Sequence, residues 1–127
     1  MRGVWILGLL LAIGACATAT PPPQRYAVYF QLWSTALDDS AKQVIASAAT
    51  WANENPSLPV EVAGYADPEG SPQVNRDLSR TRAQMVADEL TANRVAASRI
   101  AITAHGSIGF VMDSQESRRV VITLGRP

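Results

Sequence analysis

A chain of 127 residues with 11 basic and 11 acidic side chains has no net charge with which to hold a polyanion, which argues against a nucleic-acid partner. One Cys and one His exclude a disulfide scaffold and argue against a metal cluster. At 47% hydrophobic residues the chain can bury one small core, enough for a single domain.

Residues 1–15 carry Arg2 and then an apolar run from Val4 to Ala12. That run is shorter than the roughly 20 residues a membrane span needs, so it fits a secretory signal better. Small residues, Ile13-Gly14-Ala15, precede Cys16, which has no second Cys to pair with in an oxidising compartment. Residues 16–24 form a linker in which Pro21-Pro22-Pro23 favours a stiff, extended path with a reach of roughly 25–30 Å. The folded domain is expected over 25–127.

Arg25 to Leu32 is rich in aromatic and aliphatic residues and reads as the first strand. Trp33, just after it, could stack on a ligand or cap the core, and the core is the reading expected. Asp38 is a good N-cap and Asp39 suits a first turn, so a helix should run to about Asn53. Its buried stripe would be Ala41, Val44, Ile45, Ala48 and Ala49, finished by Trp51 or Ala52. Asn55-Pro56 stops it and leads to a second strand, Val60 to Gly64.

Asp67-Pro68-Glu69-Gly70-Ser71-Pro72 is dense in turn formers, and from about Val74 to Asn93 the period becomes helical. At 100° per residue, Val74, Leu78, Met85, Val86 and Leu90 share one face, and Arg82 and Asn75 fall inside it. A guanidinium on an apolar face needs a partner. The nearest credible one is Asp67, across the turn. Two readings fit that pair: a structural ion pair, or a zwitterion site in which Arg82 forks onto a carboxylate and Asp67 takes an ammonium.

Ile100 to His105 alternates as a third strand, with His105 a polar residue on the sheet's open end and no nucleophile signalled beside it. Gly106 to Glu116 is a loop with an apolar Phe110-Val111-Met112 patch, and Val120 to Leu124 is the last strand. The order is β-α-β-α-β-β, an α/β chain folded as an α+β two-layer sandwich. Two helices should pack on one face of a mixed four-stranded sheet.

Gly64-Tyr65-Ala66-Asp67-x-x-Gly70, Asn75 and Leu78-Ser79-x-x-Arg82-Ala83 resemble the core motif of the OmpA-like peptidoglycan-binding domain family, which includes the peptidoglycan-associated lipoproteins. Tyr29-Phe30, Asn55-Pro56, Ser98-Arg99-Ile100 and Ser117-Arg118-Arg119-Val120 extend the resemblance from about Tyr26 to Leu124. It implies non-covalent binding of peptidoglycan through the diaminopimelate of its stem peptide, without catalysis, cofactor or metal. Asp67 and Arg82 would hold the ligand's amino-acid head, with Asn75 and Arg118 beside them and Ala66 leaving room for the backbone. Arg119 would solvate an edge strand. Ile13-Gly14-Ala15-Cys16 resembles a bacterial lipobox, implying an acylated Cys16, outer-membrane anchoring and a periplasm-facing domain. The alternative is an envelope module that docks other proteins, with Phe110-Val111-Met112 as its contact patch.

Overall fold

Alternation of apolar and polar residues builds the strands, and the turn formers between them set where each begins. The computed structural model describes Gly14 and residues 19–68, 70–107 and 117–126. In chain order these form β1 (Gln24–Tyr29), α1 (Asp39–Glu54), β2 (Val60–Gly64), α2 (Pro72–Ala92), a short 3-10 turn (Ala97–Arg99), β3 (Ile100–Ala104) and β4 (Arg119–Leu124). The sheet order is β1-β4-β2-β3. β4 lies antiparallel to both neighbours, and β2 and β3 run parallel. The expected mixed four-stranded sheet, with two helices packed on it, is what forms.

One face of the sheet supplies the core. Val28, Val60, Val62, Val120, Ile122 and Leu124 are buried there against Ile45, Ala48 and Ala49 of α1 and Val86 and Leu90 of α2. The alternate positions Arg25, Ala27, Glu61 and Ala101 are exposed on the other face. This is the period of two that a half-solvated sheet requires.

The Asp38 carboxylate accepts the Ala41 N–H at 2.7 Å, so α1 starts where its N-cap was expected. Its buried residues are Ala41, Ile45, Ala48, Ala49 and Ala52, with Val44 and Trp51 partly covered. The C-terminal end of α1 has no basic residue in its last turn. Arg99 reaches in instead, donating to the carbonyls of Ala52, Asn55 and Leu58 at 2.8–3.2 Å. It satisfies orphan carbonyls and places a cation at the negative end of the helix. Arg99→Ala should therefore lower stability by about 2–3 kcal/mol in urea unfolding, while Arg94→Ala, on an exposed position nearby, should change it little.

α2 departs from expectation. Its buried residues are Asn75, Ser79, Arg82, Ala83, Val86, Ala87 and Leu90, whereas Val74 is 51% and Met85 37% exposed. The buried face is rotated by roughly 70° from the apolar one. Close packing decides it. A Cβ placed on Gly64 would lie 2.0 Å from the Ser79 carbonyl oxygen, so β2 and α2 nearly touch backbone to backbone. Only small or internally satisfied side chains fit along that line, and the larger Val74 and Met85 are turned outward.

Candidate functional site

The site lies where β2 runs out into the turn before α2. Backbone bonds carry the sheet past its last formal residue: Tyr65 N–H donates to Arg119 O, Ala66 N–H to Gly106 O and His105 N–H to Gly64 O, each at 2.9 Å. Ala66, 2% exposed, is thereby fixed, and Asp67 is delivered to the end of the sheet. The turn closes on Ser71, whose Oγ accepts the Val74 N–H at 3.2 Å, and Pro72 opens α2 at a position where its missing N–H costs nothing.

Asp67 is buried and pairs with Arg118, Nη1 to Oδ2 at 3.3 Å. Arg118 comes from the residue before β4, and its Nε also donates to the Phe30 carbonyl at 3.2 Å. The expected Asp67–Arg82 ion pair is not formed. Arg82, fully buried, donates from Nε to Ser34 O at 2.8 Å and from Nη2 to Gln31 O at 2.9 Å. Its Cζ sits 5.2 Å from the centre of the Phe30 ring. So the polar intruder on α2 is indeed buried, but its partners are two carbonyls of the β1–α1 loop and an aromatic face.

Nη1 of Arg82 is left without an acceptor among the described residues. Burial lowers the Arg82 pKa from its ordinary value to about 10, Arg118 adds to the lowering by like-charge repulsion, and Asp67 opposes both. Asp67, Arg118 and Arg82 thus share one electrostatic environment without a direct bond between the first and the last.

Asn75, also buried, lies in the first turns of α2, its N–H donating to Ser71 O at 3.0 Å. Four of the expected site residues, Ala66, Asp67, Asn75 and Arg82, fall on the turn and α2, and Arg118 joins them from just before β4. A hollow of about 360 Å³, walled by Tyr29, Phe30, Gln31, Asp38, Val44 and Arg118, meets the cluster only at Arg118; Ala66, Asp67 and Asn75 are not among its walls. Arg82 does not line it. It is one layer away, against the Phe30 that does.

Two further expectations change. Trp33 does not cap the core: it is 51% exposed, at the tip of the turn Gln31–Ser34. Arg119 does not flank an edge, because β4 is an inner strand. Its Cζ instead covers the Tyr65 ring at 4.8 Å, and Tyr65 stacks on His105 at 4.9 Å. His105 keeps its expected place at the open end of the sheet, 3.2 Å from the Thr103 hydroxyl. The Phe110-Val111-Met112 patch and Cys16 lie outside the described residues. Among the described residues no three His, Cys, Asp or Glu side chains group to hold a metal ion.

The chain is a two-layer α/β domain with one carboxylate and two guanidinium groups, that of Arg118 partly exposed, at the end of its sheet. The chain belongs to the OmpA family, whose model matches residues 29–120. It is 29% identical over 103 residues to a peptidoglycan-associated lipoprotein of Agrobacterium fabrum, covering 76% of this chain and 58% of that one. It is 33% identical over 96 residues to outer membrane protein 40 of Porphyromonas gingivalis, covering 75% of this chain and 25% of that one. The chain therefore spans less than two thirds of either relative. Among solved structures, the OmpA-like domain of FopA1 from Francisella tularensis superposes with a TM-score of 0.72 at 24% identity, covering 80% of this chain and 71% of that one. The peptidoglycan-associated lipoprotein of Burkholderia pseudomallei gives 0.69 at 20% identity, covering 78% and 88%. At these identities the structures establish the shared fold.

Proposed function

We propose that this chain is a lipid-anchored protein of the cell envelope that binds peptidoglycan non-covalently, through the diaminopimelate of the stem peptide, and so links outer membrane to wall. The anchor would be an acylated Cys16 after removal of 1–15, with residues 16–24 as the tether and the domain facing the periplasm. Acylation at more than one position of Cys16 would suffice for stable attachment, where a single chain would not.

The observation that carries the binding reading is the Nη1 of Arg82. A fully buried guanidinium with one donor unused among the described residues is costly unless an anion completes it. The side-chain end of diaminopimelate carries a carboxylate and an ammonium together. Once the side chains that now seal the cluster are displaced, Arg82 would take the carboxylate and Asp67 the ammonium, and Asn75 and Arg118 would flank them, with the backbone of Ala66 alongside. The names of the relatives, peptidoglycan-associated lipoprotein and outer membrane protein, point the same way. They are names of binding and structural proteins, and we read this chain as a non-enzyme.

Asp67→Asn tests the reading with little change of shape. In a pull-down on purified peptidoglycan it should lose affinity on the order of 2–5 kcal/mol, because the ammonium loses its counter-charge. A variant that melts like wild type and still sediments with the wall would overturn the assignment.

A further inference from the structure

The turn Gln31–Ser34 holds an anomaly that wall binding through the diamino acid alone does not use. Ser34 N–H donates to Gln31 O at 3.0 Å, closing a four-residue turn whose third position is Trp33 at φ 56. That left-handed position ordinarily takes Gly or Asn, and a bulky residue there is strained. The strained residue is also a large aromatic side chain left half in water. Both costs fall on one residue.

The turn is not loose. Arg82 donates to the carbonyls at both its ends, Gln31 and Ser34, so the residue proposed to hold the ligand's carboxylate also clamps the tip that displays the indole. The indole edge lies against the loop that carries Asp67: a Cβ on Gly70, itself at φ 98, would come within 3.0 Å of Trp33 Cη2. Trp33 therefore stands at the rim of the site, fixed from below and open above. Three peptide units separate Asp67 from Gly70, so their backbones lie at most roughly 10 Å apart.

We infer that Trp33 is an aromatic platform for the amino sugar to which the stem peptide is attached, making this domain a reader of glycosylated stem peptide and not of the diamino acid alone. This rests on the diaminopimelate reading and extends it. The chemistry selects the sugar. The stem near the diamino acid offers small or anionic side chains, whereas the sugar presents a flat face of C–H bonds of the size of an indole. The stem is a few residues long, so a ligand whose head is at Asp67 brings its sugar within reach of the rim.

Two probes separate this inference from its parent: the disaccharide–tripeptide released from wall by a muramidase, and the same tripeptide freed of sugar by an amidase. Calorimetry on the full-length protein in detergent should give the disaccharide form an affinity about tenfold higher. Trp33→Gly should bind the two forms equally, hold the free tripeptide within about twofold of wild type, and melt no lower, because Gly suits the turn. Trp33→Phe should keep part of the preference. If Trp33→Gly retains the full preference, or loses the free tripeptide as well while melting normally, the platform is not a sugar site. If wild type binds neither probe, the reading at Asp67 and Arg82 fails first and this one with it.

Discussion

Gly64→Ala is expected to lower stability by about 3 kcal/mol or more, and Gly64→Val to prevent folding at ordinary temperature. The new methyl would meet the Ser79 carbonyl oxygen at 2.0 Å, its carbon at 2.9 Å and the Ala83 Cβ at 3.2 Å. Two of those atoms are backbone and cannot rotate aside, so α2 would have to lift off β2. The damage would spread to the site. Ser79 Oγ accepts the Gly106 N–H at 3.0 Å and donates to Arg76 O at 2.8 Å, and Arg82 is the next residue along the same buried line. Gly125→Ala is the control. Its Cβ would have no neighbour closer than 3.5 Å, so only its φ of 95 counts, at about 1–2 kcal/mol. Urea unfolding of the two variants side by side checks the difference. Equal losses would mean that close approach at Gly64 is not what seats α2.

Arg82→Met should separate binding from folding. Removing the guanidinium would abolish the proposed carboxylate contact, so retention on purified peptidoglycan should fall by on the order of 2–5 kcal/mol. Stability should stay within about 2 kcal/mol of wild type, because two effects oppose. The carbonyls of Gln31 and Ser34 lose their donor, but a fully buried charge without a direct ion pair among the described residues is removed. A loss well above that would mark Arg82 as chiefly a structural clamp.

The pKa gives the sign of a second readout. Arg82 is depressed in the folded protein to about 10, well below its ordinary value, mainly by burial. Between about 10 and that ordinary value the unfolded chain holds more of this proton than the folded one, so stability rises with pH there. The wild-type protein should therefore gain on Arg82→Met as pH climbs above about 10, with other titrating groups cancelling in the difference.

Much of this was legible in the sequence because it depends on local chemistry. The cap at Asp38, the stop at Asn55-Pro56, the alternating strands and the turn carrying Asp67 each follow from the residues that make them. Even the burial of Arg82 and Asn75 could be read from a helical projection. What could not be read depends on geometry between elements. The rotation of α2 is set by how closely two backbones meet at Gly64. The partners of Arg82 are carbonyls, which every residue has, so they leave no signature in residue type. Arg118, not Arg82, pairs with Asp67 because the sheet order sets the start of β4 beside β2, a non-local fact. An indole following a strand suits a core or a ligand by residue type alone, and the left-handed turn is what holds Trp33 out.

The sheet order has one further consequence. β1 finds its neighbour only in residues 119–124, and those same residues bridge it to β2. A chain threaded through a membrane pore N-terminus first would present β1 with nothing to zip onto until β4 emerged. Closure of the sheet would then wait on that strand, a pairing between distant parts of the chain that slows folding.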